Sequence, residues 1–170
     1  LGGIVSNSSI RTAGDELTSD IQEHMARKHN VKVSERMAER IKIHVGSALT
    51  ELGDEAPEDY TIHGPDRITA LPLEVKVSYK EIAECIDKTI AKIENAVLTA
   101  LENTPPELYA DIVTNGIWLT GGGAMLLGLS KRLEDKFKIP FHIADDPLHS
   151  VAKGAGIALK NVDRFSFLMR

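Results

Sequence analysis

Cysteine is nearly absent from this chain. The one thiol, Cys85, has no second cysteine to pair with, which excludes an internal disulfide, and its place in an apolar helical pattern fits a reducing compartment. No apolar run approaches the length that spans a bilayer, and Leu1 to Arg11 lacks the build of a signal peptide, so a soluble, cytosolic protein is expected. An excess of one charge is missing too. The net charge is −5 with both signs interspersed, which argues against a duplex-binding face or a polybasic membrane surface. Internal repeats and low-complexity tracts are not found. What is there is an ordinary globular composition, 42% apolar and 26% charged, over 170 residues, enough for one domain or a domain with an insertion.

Periodicity divides the chain into helices and strands. Gly3–Val5 and Ser8–Arg11 read as a short hairpin around Ser6-Asn7. Gly14-Asp15-Glu16 opens a helix whose stripe is Leu17, Ile21 and Met25, ending near Lys28-His29-Asn30. Ser34 caps a second helix with Met37, Ala38, Ile41 and Val45 on one face. A loop over residues 46–59 leads to strands at Tyr60–His63 and Leu73–Val77, punctuated by a Gly64-Pro65-Asp66 turn and Pro72. Ser78-x-x-Glu81 is a capping box for a long helix carrying Ile82, Ile86, Ile90, Ile93, Val97 and Leu101. Thr104-Pro105-Pro106-Glu107 reads as a second capping box. A strand at Ile117–Leu119 empties into Gly121-Gly122-Gly123. Then come a helix through Leu129, Leu133 and Phe137, a strand at Phe141–Ala144, and a helix at Val151–Leu159 entered through Asp145-Asp146-Pro147. The tail carries Phe165, Phe167 and Leu168. This order implies an α/β layered domain with an inserted α+β lobe, the main body at 1–31 and 81–160, the insertion at 32–80 and a C-terminal tail at 161–170.

The chemistry-bearing candidates are few. The triple glycine leaves backbone bare enough for a flat group or an anion to approach, or it is a tight turn with no ligand. It fails the dinucleotide fingerprint, because Leu126 stands where the third glycine belongs. It fails the P-loop, because Leu129 replaces the lysine after Gly128. Glu39 and Lys42, three apart on one helix, could take ribose hydroxyls and a base edge, or could be a solvated ion pair with Arg36 and Arg40 nearby. His24 and His29 are five apart and so on different helix faces, and His142 and His149 straddle a strand and a loop; no metal site is expected from them. Asp145-Asp146-Pro147 could hold magnesium but reads better as a helix cap. No catalytic triad or pair of glutamates at a helical step stands out.

Set side by side, these stretches resemble the C-terminal half of the bacterial actin homologues of the MreB family. The resemblance is carried by Ser9-Ile10-Arg11-Thr12-Ala13-Gly14-Asp15-Glu16, Glu35-Arg36-Met37-Ala38-Glu39-Arg40-Ile41-Lys42, Thr104-Pro105-Pro106-Glu107-Leu108 and Leu119-Thr120-Gly121-Gly122-Gly123-Ala124. Asp145-Asp146-Pro147-Leu148 and Val151-Ala152-Lys153-Gly154 complete it, in family order. It implies an actin-like ATPase (RNase H-like) fold, with the main body as subdomain IIA and the insertion as IIB. It implies adenosine contacts at Glu39, Arg40, Ile41, Lys42, Gly121, Gly122, Gly123 and Ala124, with no catalytic residue here. The implied cofactor is ATP with Mg2+, the magnesium ligands and both phosphate loops lying outside this sequence, so that these residues alone are expected not to turn ATP over. Self-assembly into filaments, membrane partners of the MreC, MreD and RodZ kind, and a cytoplasmic, membrane-associated location under the inner membrane come with the family. An Hsp70-like or sugar-kinase-like ATPase of the same superfold, or a non-catalytic interaction module docking through Phe165, Phe167 and Leu168, are the alternative readings.

Overall fold

Three amphipathic helices make the centre of the molecule, and each forms where its apolar residues recur at helical spacing. The computed structural model describes residues 4–12 and 14–163. Helix α1, Gly14–Lys28, carries Asp15 and Glu16 in its first turn and Arg27 and Lys28 in its last, the arrangement its dipole favours, and it buries Leu17, Ile21 and Met25. Helix α2, Glu35–Val45, is capped by Ser34, whose hydroxyl accepts from the Met37 N–H at 3.2 Å, and buries Ala38, Ile41 and Val45. After the antiparallel pair β1, Tyr60–Pro65, and β2, Pro72–Val77, the chain enters α3, Tyr79–Glu102, about 36 Å long. Ile82, Ile86 and Ile90 of α3 are fully buried in one core with the stripes of α1 and α2 and with Ile62, Val75 and Val77 of the hairpin.

The second half is lighter. Helix α4, Pro106–Asn115, leads through Gly116 into β3, Ile117–Leu119, and a 3-10 turn, Gly122–Met125, precedes α5, Leu129–Phe137. Strand β4, Phe141–Ile143, pairs with β3 in parallel, in the register Ile117 to Phe141 and Leu119 to Ile143, and α6, Ser150–Lys160, follows. A buried ion cluster ties α5 to α3. Arg132 Nε and Lys136 Nζ each donate to the Glu94 carboxylate at 2.5 Å, and Arg132 Nη1 also reaches Asp87 at 2.7 Å and the Ala48 carbonyl at 3.0 Å.

Several elements depart from the sequence expectation. Among the described residues the hairpin around Ser6-Asn7 is not formed: 4–12 carry no strand pairing there, Ile4, Val5 and Ile10 are exposed, and Gly3 lies outside the described residues. Strand β1 runs on through Gly64 to Pro65, and the turn lies beyond it, where Asp66 Oδ1 accepts from the Ile68 and Thr69 N–H groups at 2.8 and 2.7 Å. The second capping box does not assemble. Thr104 Oγ1 donates back to the Ala100 carbonyl at 2.9 Å, and α4 starts after Pro105 with no side-chain cap. Phe165, Phe167 and Leu168 lie outside the described residues.

Candidate functional site

Helix α2 presents its buried stripe to the core and turns Glu39 and Lys42 toward the first turn of α1. Lys42 Nζ donates to the Gly14 carbonyl at 2.9 Å, to Thr18 Oγ1 at 3.0 Å and to Glu39 Oε2 at 2.6 Å, which uses all three ammonium hydrogens. Thr18 in turn donates to Glu39 Oε2 at 2.7 Å, closing a ring of three side chains. Lys42 is 13% exposed, so the pair is not a solvated surface bridge, whereas Glu39 is 45% exposed. Partial burial raises the Glu39 carboxyl, but hydrogen bonds from Lys42 and Thr18 outweigh it and hold the group below the usual carboxylate range. Both of those bonds fall on Oε2, so among the described residues Oε1 is the oxygen left for another donor. Arg40 is exposed, while Ile41 is fully buried in the core.

The glycine segment is a bare ledge. Gly121 sits at φ 83°, ψ 173°, a conformation that side chains disfavour, and its N–H donates to the Pro147 carbonyl at 2.7 Å. The space a Cβ would occupy at Gly121 and Gly123 is open, and Ala124 is buried beneath. In the short turn Gly122–Met125 the first amides have no carbonyl of the turn to bond.

Chain pairing joins ledge and helix. Ser47 bridges to Leu127 in parallel, and the Ala48 N–H donates to the Leu127 carbonyl at 2.7 Å. Gly46 ends α2 beside Leu126. A Cβ on Gly46 would strike the Lys42 carbonyl and come within 2.9 Å of Leu126 Cδ1, so this residue makes the close approach possible. Replacing it, Gly46→Ala, is expected to cost about 1–3 kcal/mol through forced displacement of backbone. Urea unfolding of the purified variant checks this, and a cost within experimental scatter of zero would show that the junction tolerates a side chain.

Other candidates are dispersed. Asp146 engages His149 Nδ1 at 2.8 Å and Lys153 Nζ at 2.6 Å, the latter being the main reason its carboxyl is held below the ordinary range. It therefore staples α6 from outside: the residue before the helix is His149, with no side-chain cap, so the expected aspartate cap is corrected. His142 lies across from Trp118 in the β3–β4 pair, away from His149. His24 and His29, expected on different faces, come together on Glu81, at 2.6 and 2.5 Å from its Oε1. His29 lies past the last residue of α1, so the helical face rule stops applying to it. Sequence reasoning also missed Glu94. The signal was available: it continues the four-residue ladder of Ile82, Ile86 and Ile90, where a charge demands buried partners.

The family model described as MreB/Mbl protein matches residues 1–166. The chain belongs to the MreB/Mbl family. It is 43% identical over 164 residues to the cell shape-determining protein Mbl of Bacillus cereus, covering 96% of this chain and 48% of that protein. It is 39% identical over 163 residues to the cell shape-determining protein MreB of Escherichia coli K12, covering 96% and 46%. The chain thus spans about half the length of the MreB/Mbl relatives it matches. Among solved structures it resembles MreB5 of Spiroplasma citri bound to AMPPNP, with TM-score 0.88, 36% identity and coverage of 96% and 48%. The ADP-bound form gives 0.86, 35%, 91% and 46%. The MamK double helical filament, at TM-score 0.68 and 17% identity over 83% of this chain and 42% of that one, shares the actin-like α/β fold.

Proposed function

We propose that this MreB/Mbl chain forms the adenosine-side wall of an ATP site in a subunit of an actin-like filament. The carrying observation is that Glu39, held ionised by Lys42 and Thr18 with Oε1 uncommitted, stands on a helix stitched by Ser47 and Leu127 to the bare Gly121–Gly123 ledge. In this reading a ribose hydroxyl donates to Glu39, Lys42 is a positioning residue, exposed Arg40 lies at the rim, and the flat base rests on glycine backbone above Ala124. These groups fit a nucleoside: one fixed carboxylate acceptor on the helix and an uncrowded backbone surface on the segment paired to its end. Bound ATP would bring Mg2+ on its phosphates, and the residues assigned here address only the adenosine. The nucleotide complexes of a relative at 35–36% identity support the choice of ligand.

Nucleotide contact with both walls of a cleft acts as a switch by favouring one arrangement of the lobes, here the polymer-competent one. The filaments so formed would lie in the cytoplasm under the inner membrane, with partners of the MreC, MreD and RodZ kind, and direct shape by organising cell-wall synthesis. The test uses the full-length protein and a fluorescent ATP analogue. Glu39→Ala is expected to weaken binding about tenfold or more, the loss of one hydrogen bond to a charged group. Lys42→Ala should weaken it as well, by releasing Glu39. Unchanged affinity in Glu39→Ala would return the trio to a purely structural role.

A further inference from the structure

We propose that His24, His29 and Glu81 form a binding site for a divalent transition-metal ion of the zinc class, separate from the nucleotide wall. His24 is on the penultimate turn of α1, His29 lies just past its end, and Glu81 is in the first turn of α3. The two imidazole rings stand edge to face, with centroids 6.2 Å apart, and both Nε2 atoms converge on the single oxygen Oε1. One ligating atom from each residue lies within 4.8 Å of the others. Zinc held by two imidazoles and a carboxylate needs ligand atoms about 3.3 Å apart for tetrahedral bonds of about 2 Å, so sub-ångström shifts of the side chains convert the cluster into a site.

The carboxylate is already committed to this place. Glu81 occupies the position from which a capping-box glutamate returns to its own helix start, and the Ser78 hydroxyl does accept from the Glu81 N–H at 3.3 Å. Its carboxylate oxygens instead meet His24 and Lys28 of α1 and His29 just past the end of that helix. Lys28 is opposed to a cation, but it pairs with Oε2 at 3.5 Å, leaves Oε1 to the histidines, and is half exposed and free to swing out. His24 and His29 are 19% and 20% exposed, and His24 also lines the open groove between α1 and α3, the side from which an ion would approach.

Two nitrogens and one carboxylate oxygen suit Zn2+, Co2+, Ni2+ or Cu2+ and are a poor set for Mg2+, which prefers six oxygens. Without metal both Nε2 atoms carry the hydrogen they donate to Glu81. With metal each ring takes the Nδ1–H tautomer and offers its Nε2 lone pair, so a neutral ring gives up no net proton. The bound ion would clamp the end of α1 to the start of α3.

The experiment is a titration of the chelator-treated full chain with Co2+, read by the visible bands of tetrahedral cobalt, followed by displacement with Zn2+. One ion per chain is expected, with each of His24→Gln and His29→Gln weakening binding about tenfold or more and the double variant abolishing the bands. Circular dichroism verifies that the variants fold, and X-ray absorption at the zinc edge of the unaltered protein, expected to report two imidazole ligands, does not depend on them. Absence of tetrahedral cobalt bands in the unaltered chain, unchanged affinity in the folded double variant, or a zinc spectrum without two imidazoles would overturn the site. None of these readouts depends on nucleotide binding.

Discussion

Glu94→Ala is expected to lower the stability of the purified chain by about 3 kcal/mol, the lower end of what removing one partner from a buried ion pair costs. The Glu94 side chain is 5% exposed and takes two cationic donors, Arg132 and Lys136, from α5. Removing it leaves Arg132, itself 19% exposed, with Asp87 as its one carboxylate and the Ala48 carbonyl as its other acceptor. Lys136 is nearer the surface and can rehydrate, which keeps the expected loss at the low end. For a chain of this size the loss corresponds to a fall in Tm of roughly 6–12 °C.

The same cluster sets a pH dependence. Burial raises the Glu94 carboxyl, but bonds from Lys136 and Arg132 outweigh it and the group sits below the ordinary glutamate range. A carboxyl depressed in the folded state binds protons less readily than in the unfolded chain. Its stabilisation is therefore complete above the unfolded value, about 4.3, and is lost as pH falls through the lower folded value. Urea titrations across this acid range should show a steep limb in the unaltered chain and a shallower one in Glu94→Gln. Identical limbs, or a Glu94→Ala loss within about 0.5 kcal/mol, would mean that the cluster is solvated and contributes nothing.

Ile86→Ala carries the second large effect, a loss of about 2–5 kcal/mol. The side chain is fully buried among the stripes of three helices, and truncation removes apolar contact while leaving a cavity. Ile86→Val should cost only about 0.5–1.5 kcal/mol. Ile43→Ala, a similar deletion at an exposed site of α2, should change stability by less than about 0.5 kcal/mol. Equal losses for Ile86→Ala and Ile43→Ala in urea unfolding would sink the placement of α3 at the centre.

The parts legible in the sequence are those governed by neighbours a few residues away. The stripes of α1, α2 and α3, the Ser34 cap and the alternation of Leu73, Val75 and Val77 follow from local periodicity, and the structure has them. Strand pairing is a longer-range matter, so the extended look of residues 4–11 made no hairpin among the described residues: a strand needs a partner as well as a pattern. Thr104 had a choice between two helices, and the carbonyl of Ala100 competed successfully for its hydroxyl. Glu39 and Lys42 were legible as a pair from their spacing. Thr18, which completes their ring from 24 residues away, carries no signal in sequence. Glu81 lies more than 50 residues from both His24 and His29, and only the docking of α1 on α3 reveals the three as a set.

The pairing of Ser47 with Leu127 closes a loop of 80 residues with one short bridge. Drawing two such distant points together costs the unfolded chain about 4 kcal/mol in entropy, more than a pair of backbone hydrogen bonds returns. The Arg132 guanidinium helps to make up the difference. It donates to Ala48 on one side of the closure and to Glu94 and Asp87 on α3, so the bridge and the ion cluster are one clasp. Such a clasp is expected to fasten late in assembly, after α3 has formed and packed, because its ends are 80 residues apart; Arg132→Ala should then speed unfolding and leave the folding rate unchanged.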